Sequence, residues 1–266
     1  GDSLYLSQVA SKTDAEIIIF AGVTFMAQTA KILSPEKKVL LPQIDAGCEM
    51  ADMINYNQLL EFKSKYPNIP VVCYINSTAE VKSECDLCCT SSNAVKVVES
   101  LHADKILFLP DQHLGKWVEK QLGNVEVITY SGCCPIHENI TSEEVKQIRQ
   151  KYPDSVVLVH PECKMDVALL ADFVGSTAGI MNYVKNSDKK SFVIVTEKGV
   201  IDRLKRDYPD KEFIPVRENL VCPSMKMTSL EDILNVLETE KNEIIVDKEI
   251  AQKAVKCIDR MLEASK

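Results

Sequence analysis

Along the chain, short runs of apolar, mostly β-branched residues alternate with stretches whose apolar positions recur at helical spacing. The runs at 17–20 (IIIF), 39–42 (VLLP), 71–75 (VVCYI), 105–109 (KILFL), 125–129 (VEVIT), 155–160 (SVVLVH), 192–196 (FVIVT) and 212–216 (EFIPV) predict eight strands. Separated by amphipathic segments, they read as parallel strands joined by crossover helices, so the predicted fold class is α/β. Residues 228–238 carry a capping-box start and predict a helix, and residues 247–266 predict another with Asp247 as its N-cap.

The pattern repeats. Strand, turn, helix, second strand and a cysteine-bearing loop follow one another from Ile17 to Cys48, from Ile106 to Cys134 and from Phe192 to Cys222, and the three cysteines are 86 and 88 residues apart. Ser3, Ser91 and Ser176 stand at expected helix starts with separations of 88 and 85 residues. The repeat predicts unit one at 1–64, unit two at 65–149, unit three at 150–236 and a helical tail at 237–266 that packs across the units. Units two and three open with the strands at 71 and 155. Unit one has no such run, and by the same logic its first strand is expected before Gly1.

Composition narrows the function classes. Among 266 residues, 45% are hydrophobic and 26% charged, which is the balance of a globular protein with an ordinary core. No apolar run approaches the roughly 18 residues of a membrane span, and no secretory pattern opens the chain. A net charge of −8 leaves no basic footprint for nucleic acid, so neither nucleic acid nor membrane is an expected partner. Ten cysteines without an export pattern point to reduced thiols in the cytoplasm and to a metal site rather than a disulfide framework.

Three equivalent loops at the carboxyl ends of parallel strands converge where open α/β sheets bind ligands. Cys48, Cys134 and Cys222 would then meet on a pseudo-threefold axis as soft ligands for zinc or an iron-sulfur cluster. Clusters usually take four cysteines, so three would leave one iron open to act as a Lewis acid. The hydroxyl turns at helix starts suit phosphate or carboxylate groups. Tyr74 and Asn76 end the first strand of unit two, and His160 and Glu162 stand at the matching place in unit three, where a histidine and a carboxylate supply acid and base. His137 is close enough to Cys134 to touch substrate, whereas His102 and His113 read as surface or turn residues. Cys73, Cys163 and Cys257 read as small core residues. Cys85 and Cys88 have CxxC spacing in CDLCC but no partner pair, and with Cys133 and Cys134 they carry the alternative of a non-catalytic redox sensor or cluster carrier.

From Gly1 to about Leu237 the chain resembles the quinolinate synthase family, in AGVTFMAQTAKILSPEKKVLLP, AGCEMADM, YINSTAEVK, CTSSNAVKVVES, LPDQHLG, CPIHE, HPEC, ADFVGSTAGI and CPSMKMTSLEDIL. The resemblance implies three αβα units about a pseudo-threefold axis, with the active site at their central junction and a 4Fe-4S cluster on Cys48, Cys134 and Cys222. It implies condensation of iminoaspartate with dihydroxyacetone phosphate to quinolinate, with loss of phosphate and water, in de novo NAD biosynthesis. The enzyme that supplies iminoaspartate is then a candidate partner. Ser3, Tyr74, Asn76, Ser91, His160, Glu162, Ser176 and Thr177 match positions that line the family's substrate pocket, with Tyr74, His160 and Glu162 as candidates for proton transfer. The family's opening strand, which carries a His-Asn-Tyr motif, has no counterpart here.

Overall fold

In the computed structural model, which describes residues 3–265, the apolar runs form three parallel sheets flanked by helices. The first part of the chain gives α1 (Ser3–Lys12), β1 (Ile17–Ile19), α2 (Thr24–Leu33), β2 (Lys38–Leu40) and, after a loop, α3 (Tyr56–Ser64). The second sheet is built from β3 (Val71–Tyr74), α4 (Ala79–Ser83), β4 (Leu87–Cys89), α5 (Ala94–Glu99), β5 (Lys105–Leu109), α6 (Gln112–Leu122) and β6 (Glu126–Thr129). Two helices, α7 (Pro135–Glu138) and α8 (Ser142–Lys151), lead to β7 (Val156–Val159), α9 (Met165–Ala168), β8 (Phe173–Val174), α10 (Thr177–Asn186), β9 (Ser191–Val195), α11 (Lys198–Asp207) and β10 (Glu212–Pro215). The chain ends in α12 (Leu230–Thr239) and α13 (Lys248–Ala264).

The second and third sheets share one topology, β4-β3-β5-β6 and β8-β7-β9-β10, so the first strand of each lies between the second and third. The strand β1 pairs with β2 as β5 pairs with β6 and β9 with β10. Central strands such as VVCY and VVLV are buried along their whole length because helices cover both faces, which is why they carry no polar alternation.

The strand count departs from expectation. β4 and β8 were not foreseen, because runs of three and two residues next to one-turn helices give too short an apolar pattern to register. The eight foreseen strands are present, with ends that differ by a residue or two. The capping chemistry follows the sequence: Ser229 and Asp232 form a reciprocal box at α12, and Asp247 accepts from Glu249 and Ile250 amides at 2.9 and 3.2 Å to start α13.

The helix α13 packs on α2, α4, β4 and α5, and it seals the largest apolar cluster with Ala254, Cys257, Ile258 and Met261 against β3, β4 and β5. The segment before it runs antiparallel to β2, with the Leu41 amide donating to Asn242 at 3.0 Å and the Ile244 amide to Val39 at 2.8 Å. No helix among the described residues is long and apolar enough to cross a membrane.

Candidate active site

The three cysteine loops are tied down by one recurring bond. The first amide of α2, α6 and α11 has no partner within its own helix, and each donates instead to a loop carbonyl: Thr24 to Ala46, Gln112 to Gly132 and Lys198 to Leu220, all at 2.8 Å. In every case the cysteine stands two residues beyond the acceptor, at Cys48, Cys134 and Cys222. The repeat read from spacing is therefore a repeat of hydrogen bonding. All three thiols are half-buried, and they are close enough to act on one another: burial first, then the charges of Glu162 and Cys222, push Cys48 up to about 12. Cys134 is raised by burial, then by Glu162 and Cys48.

Glu162 joins this region to the second sheet. It lies just past β7 with 7% of its side chain exposed, and Tyr74, the last residue of β3, donates its hydroxyl to Oε1 at 2.7 Å. His137, in the helix that follows Cys134, sets Nδ1 2.9 Å from Oε2, although off the line of a good hydrogen bond. The other ring nitrogen, Nε2, is hydrogen-bonded with the Thr196 hydroxyl at 2.9 Å, which orients the imidazole. The His160 ring stacks on His137 with centroids 4.9 Å apart, and its Nδ1 is 3.9 Å from Oε2. One ligand atom each from Cys134, His137 and Glu162 lie within 4.8 Å of one another.

Burial and charge set the protonation states. Burial alone would raise Glu162, but His160, His137 and the Tyr74 hydroxyl overcome it and hold the carboxyl far below its usual range. Burial pulls His160 down to about 4, so it is neutral near pH 7. Burial and the neighbouring Glu162 charge raise Tyr74 well above the usual phenol range, which keeps it a donor.

The other expected residues distribute as follows. Ser176 caps α10, accepting the Gly179 amide at 3.1 Å, and Thr177 begins that helix half-buried. Ser91 corrects the expectation of a helix-start cap: α5 begins later, with Asn93 at its N-cap position, and the Ser91 hydroxyl instead engages the Tyr74 phenol. Asn76 is half-buried just past β3. The side chain of Ser3, at the start of α1, lies outside the described residues. His113 is a second correction, since it sits on α6 and pairs with Glu138 rather than facing solvent, while His102 is exposed in a turn.

Three participants went unforeseen. Asp111 lies two residues past β5, caps α6 through Oδ1 at 2.8 and 2.9 Å, and leaves Oδ2 buried without a hydrogen-bond partner. Burial and Glu162 raise its carboxyl well above the usual range. Thr196 orients His137, and Glu197 accepts the Cys222 amide at 3.4 Å and the Gly199 amide at 2.6 Å, which steadies the third loop. The sequence signal that could have found Asp111 and Glu197 is their separation of 86 residues, which matches the repeat period. A separate set, Cys73, Cys88 and Cys257, is fully buried and close enough to hold a metal. Beside Glu162 the soft donor within reach is Cys134, grouped with His137, while Cys48 and Cys222 stand on the two equivalent loops; thiolates of this kind suit a soft metal group, and Asp111 Oδ2, whose carboxyl Glu162 acts on, is buried and unpartnered.

Three parallel sheets with repeated cysteine loops and a buried acid-base cluster define an α/β enzyme whose site is assembled from repeated strand ends. The chain belongs to the family described as "NadA: Quinolinate synthetase A protein", whose model matches residues 1–263. It is 53% identical over 263 residues to the quinolinate synthase of Alkaliphilus metalliredigens (strain QYMF), covering 99% of this chain and 87% of that one. The quinolinate synthase of Dehalococcoides mccartyi (strain CBDB1) is 52% identical over 262 residues, 98% of this chain and 86% of its own. That of Geobacter sp. (strain M21) is 50% identical over 262 residues.

Proposed function

We propose that this chain condenses iminoaspartate with dihydroxyacetone phosphate to quinolinate, releasing phosphate and water, as a cytoplasmic step of de novo NAD biosynthesis. The observation that carries this reading is the set of three cysteine loops, each fastened by the same 2.8 Å bond, beside a buried carboxylate whose charge acts on Cys48 and Cys134. Cys48, Cys134 and Cys222 would hold a 4Fe-4S cluster. When bound, such a cluster supplies a Lewis-acid iron at the corner that no cysteine occupies.

The remaining chemistry belongs to the side chains. Glu162, ionised, accepts a proton from substrate at Oε2, and the Nδ1 proton of His137 steadies that oxygen from 2.9 Å. Tyr74, held protonated, donates at Oη, and neutral His160 closes the cavity over both. Asn76, Ser91, Ser176 and Thr177 bind the phosphate and carboxylates, helped by the free amides that begin α10. Asp111 and Glu197 position the second and third cysteine loops.

Anaerobic purification followed by iron and sulfide counts tests the ligand set. Cys48→Ala, Cys134→Ala and Cys222→Ala should each lose the cluster, whereas Cys85→Ala should keep it. A full cluster in Cys222→Ala, or its loss in Cys85→Ala, would sink the assignment in favour of the redox-sensor reading. Glu162→Gln should retain iron and lose quinolinate formation by about a hundredfold or more.

A further inference from the structure

Away from the site, one group of sulfurs has no part in the chemistry above. Cys73 on β3 and Cys88 on β4 are paired residues of adjacent strands, so both point to the face that α13 covers, and Cys257 descends from α13 between them. The three Sγ atoms are 3.4, 3.8 and 2.9 Å apart, with residue exposures of 0, 0 and 1%. A fourth thiol, Cys85, stands outside this group at the partly buried rim, where its Sγ donates to the Val81 carbonyl at 3.1 Å, and it shares CxxC spacing with Cys88.

We propose that Cys73, Cys88 and Cys257 form a structural site for one zinc ion, completed by Cys85 turning in from its bond to Val81, which pins α13 to the second sheet.

The geometry supports a single ion rather than a cluster. Zinc-sulfur bonds of about 2.3 Å in a tetrahedron set sulfurs about 3.8 Å apart. Two of the three measured separations are within half an ångström of that value, and the third needs to open by about one. A cubane spreads its cysteines over corners much farther apart than these sulfurs lie.

Charge supports it as well. Lys82 is completely buried, with its ammonium donating to the Ser77 carbonyl and facing the Phe25 ring at 5.7 Å. No carboxylate among the described residues bridges to it, and the groups that act on its charge are Cys88, Cys73, Cys257 and Cys85. A buried cation without an anion is costly. A divalent ion on four thiolates leaves two negative charges, of which the Lys82 ammonium offsets one, and Lys63 acts on Cys85. Cys85 is the one sulfur of the four that is not fully buried. The neighbour of Cys73 in β3 is Tyr74, so an ion here would also brace the strand that reaches Glu162.

The test uses the full chain with Cys48, Cys134 and Cys222 replaced together by Ala, which removes the other thiol set. Purified anaerobically from zinc-supplemented cells, it should contain about one zinc per chain. After stripping, titration with Co2+ alone should give the intense visible bands of tetrahedral cobalt-thiolate coordination. Cys88→Ala and Cys257→Ala in that background should weaken Co2+ binding by about a hundredfold, and Cys85→Ser by about tenfold or more with shifted bands. Absence of zinc together with absence of the cobalt bands overturns the proposal, and so do bands that all three substitutions leave unchanged. Should the buried-site variants fail to fold by circular dichroism, Cys85→Ser decides, because that side chain is at the rim: undiminished affinity with unshifted bands refutes the site.

Discussion

Glu162 and His160 share a buried pocket in which burial holds the imidazole neutral against the pull of the carboxylate, and this makes the folded state sensitive to acid. In His160 burial lowers the imidazole from the ordinary 6.5 to about 4, while nearby Glu162 resists the shift only in part. Between those values the unfolded chain binds a proton that the native chain refuses, so stability is full above pH 6.5 and falls as the pH drops toward 4. Glu162 is depressed too, so it adds a loss of the same sign in the acid range. The histidine shift corresponds to about 3 kcal/mol across that window. Urea midpoints measured from pH 7 to pH 5 should therefore decline, and His160→Gln, which cannot take the proton, should show a visibly flatter decline. Equal slopes for the two proteins would refute the buried neutral imidazole.

The cysteine loops depend on close backbone approach as well as on the shared bond to a helix start. A Cβ on Gly132 would meet the Pro110 carbonyl oxygen at 2.6 Å, and backbone cannot swing aside. Gly132→Ala should thus cost about 1–3 kcal/mol and displace Cys134, lowering iron content in step. Gly123→Ala is the control: there the space is open and φ is 71°, so only backbone strain of about 1 kcal/mol is expected, with iron unchanged. Thermal melts and iron counts on both variants separate the two effects. The loops were legible in the sequence because a repeat period of nearly constant length fixes Cys48, Cys134 and Cys222 together, and because Tyr74 and His160 recur at matching strand ends. β4 and β8 were not, since two or three residues carry no periodicity. The thiol group on α13 was illegible for another reason: Cys73 and Cys257 are 184 residues apart, and nothing in local spacing reports a contact made by a terminal helix. Asp111 hid behind its ordinary duty as a cap.

The apolar interior is divided, with one cluster around β3, β4, β5 and α13 and two others on the faces of the third sheet. Ile258 is fully buried in the first of these. Ile258→Ala should cost about 2–5 kcal/mol, and hydrogen exchange should show where: amides of β3 and β4 accelerate while those of β7 and β9 keep their rates. Acceleration spread evenly over both sheets would mean that the clusters open as one. The regular frame of three identical loop anchors has a further consequence through what differs around it. The chain turns from strand to helix through Val23 in one corner, Asp111 in the next and Glu197 in the last, and only one corner carries Glu162. Rotation by a third of a turn therefore never maps the lining onto itself. A flat, prochiral molecule lying among the loops has a single orientation that presents its reacting face to that carboxylate, so the scaffold's symmetry gives location while its broken symmetry gives handedness.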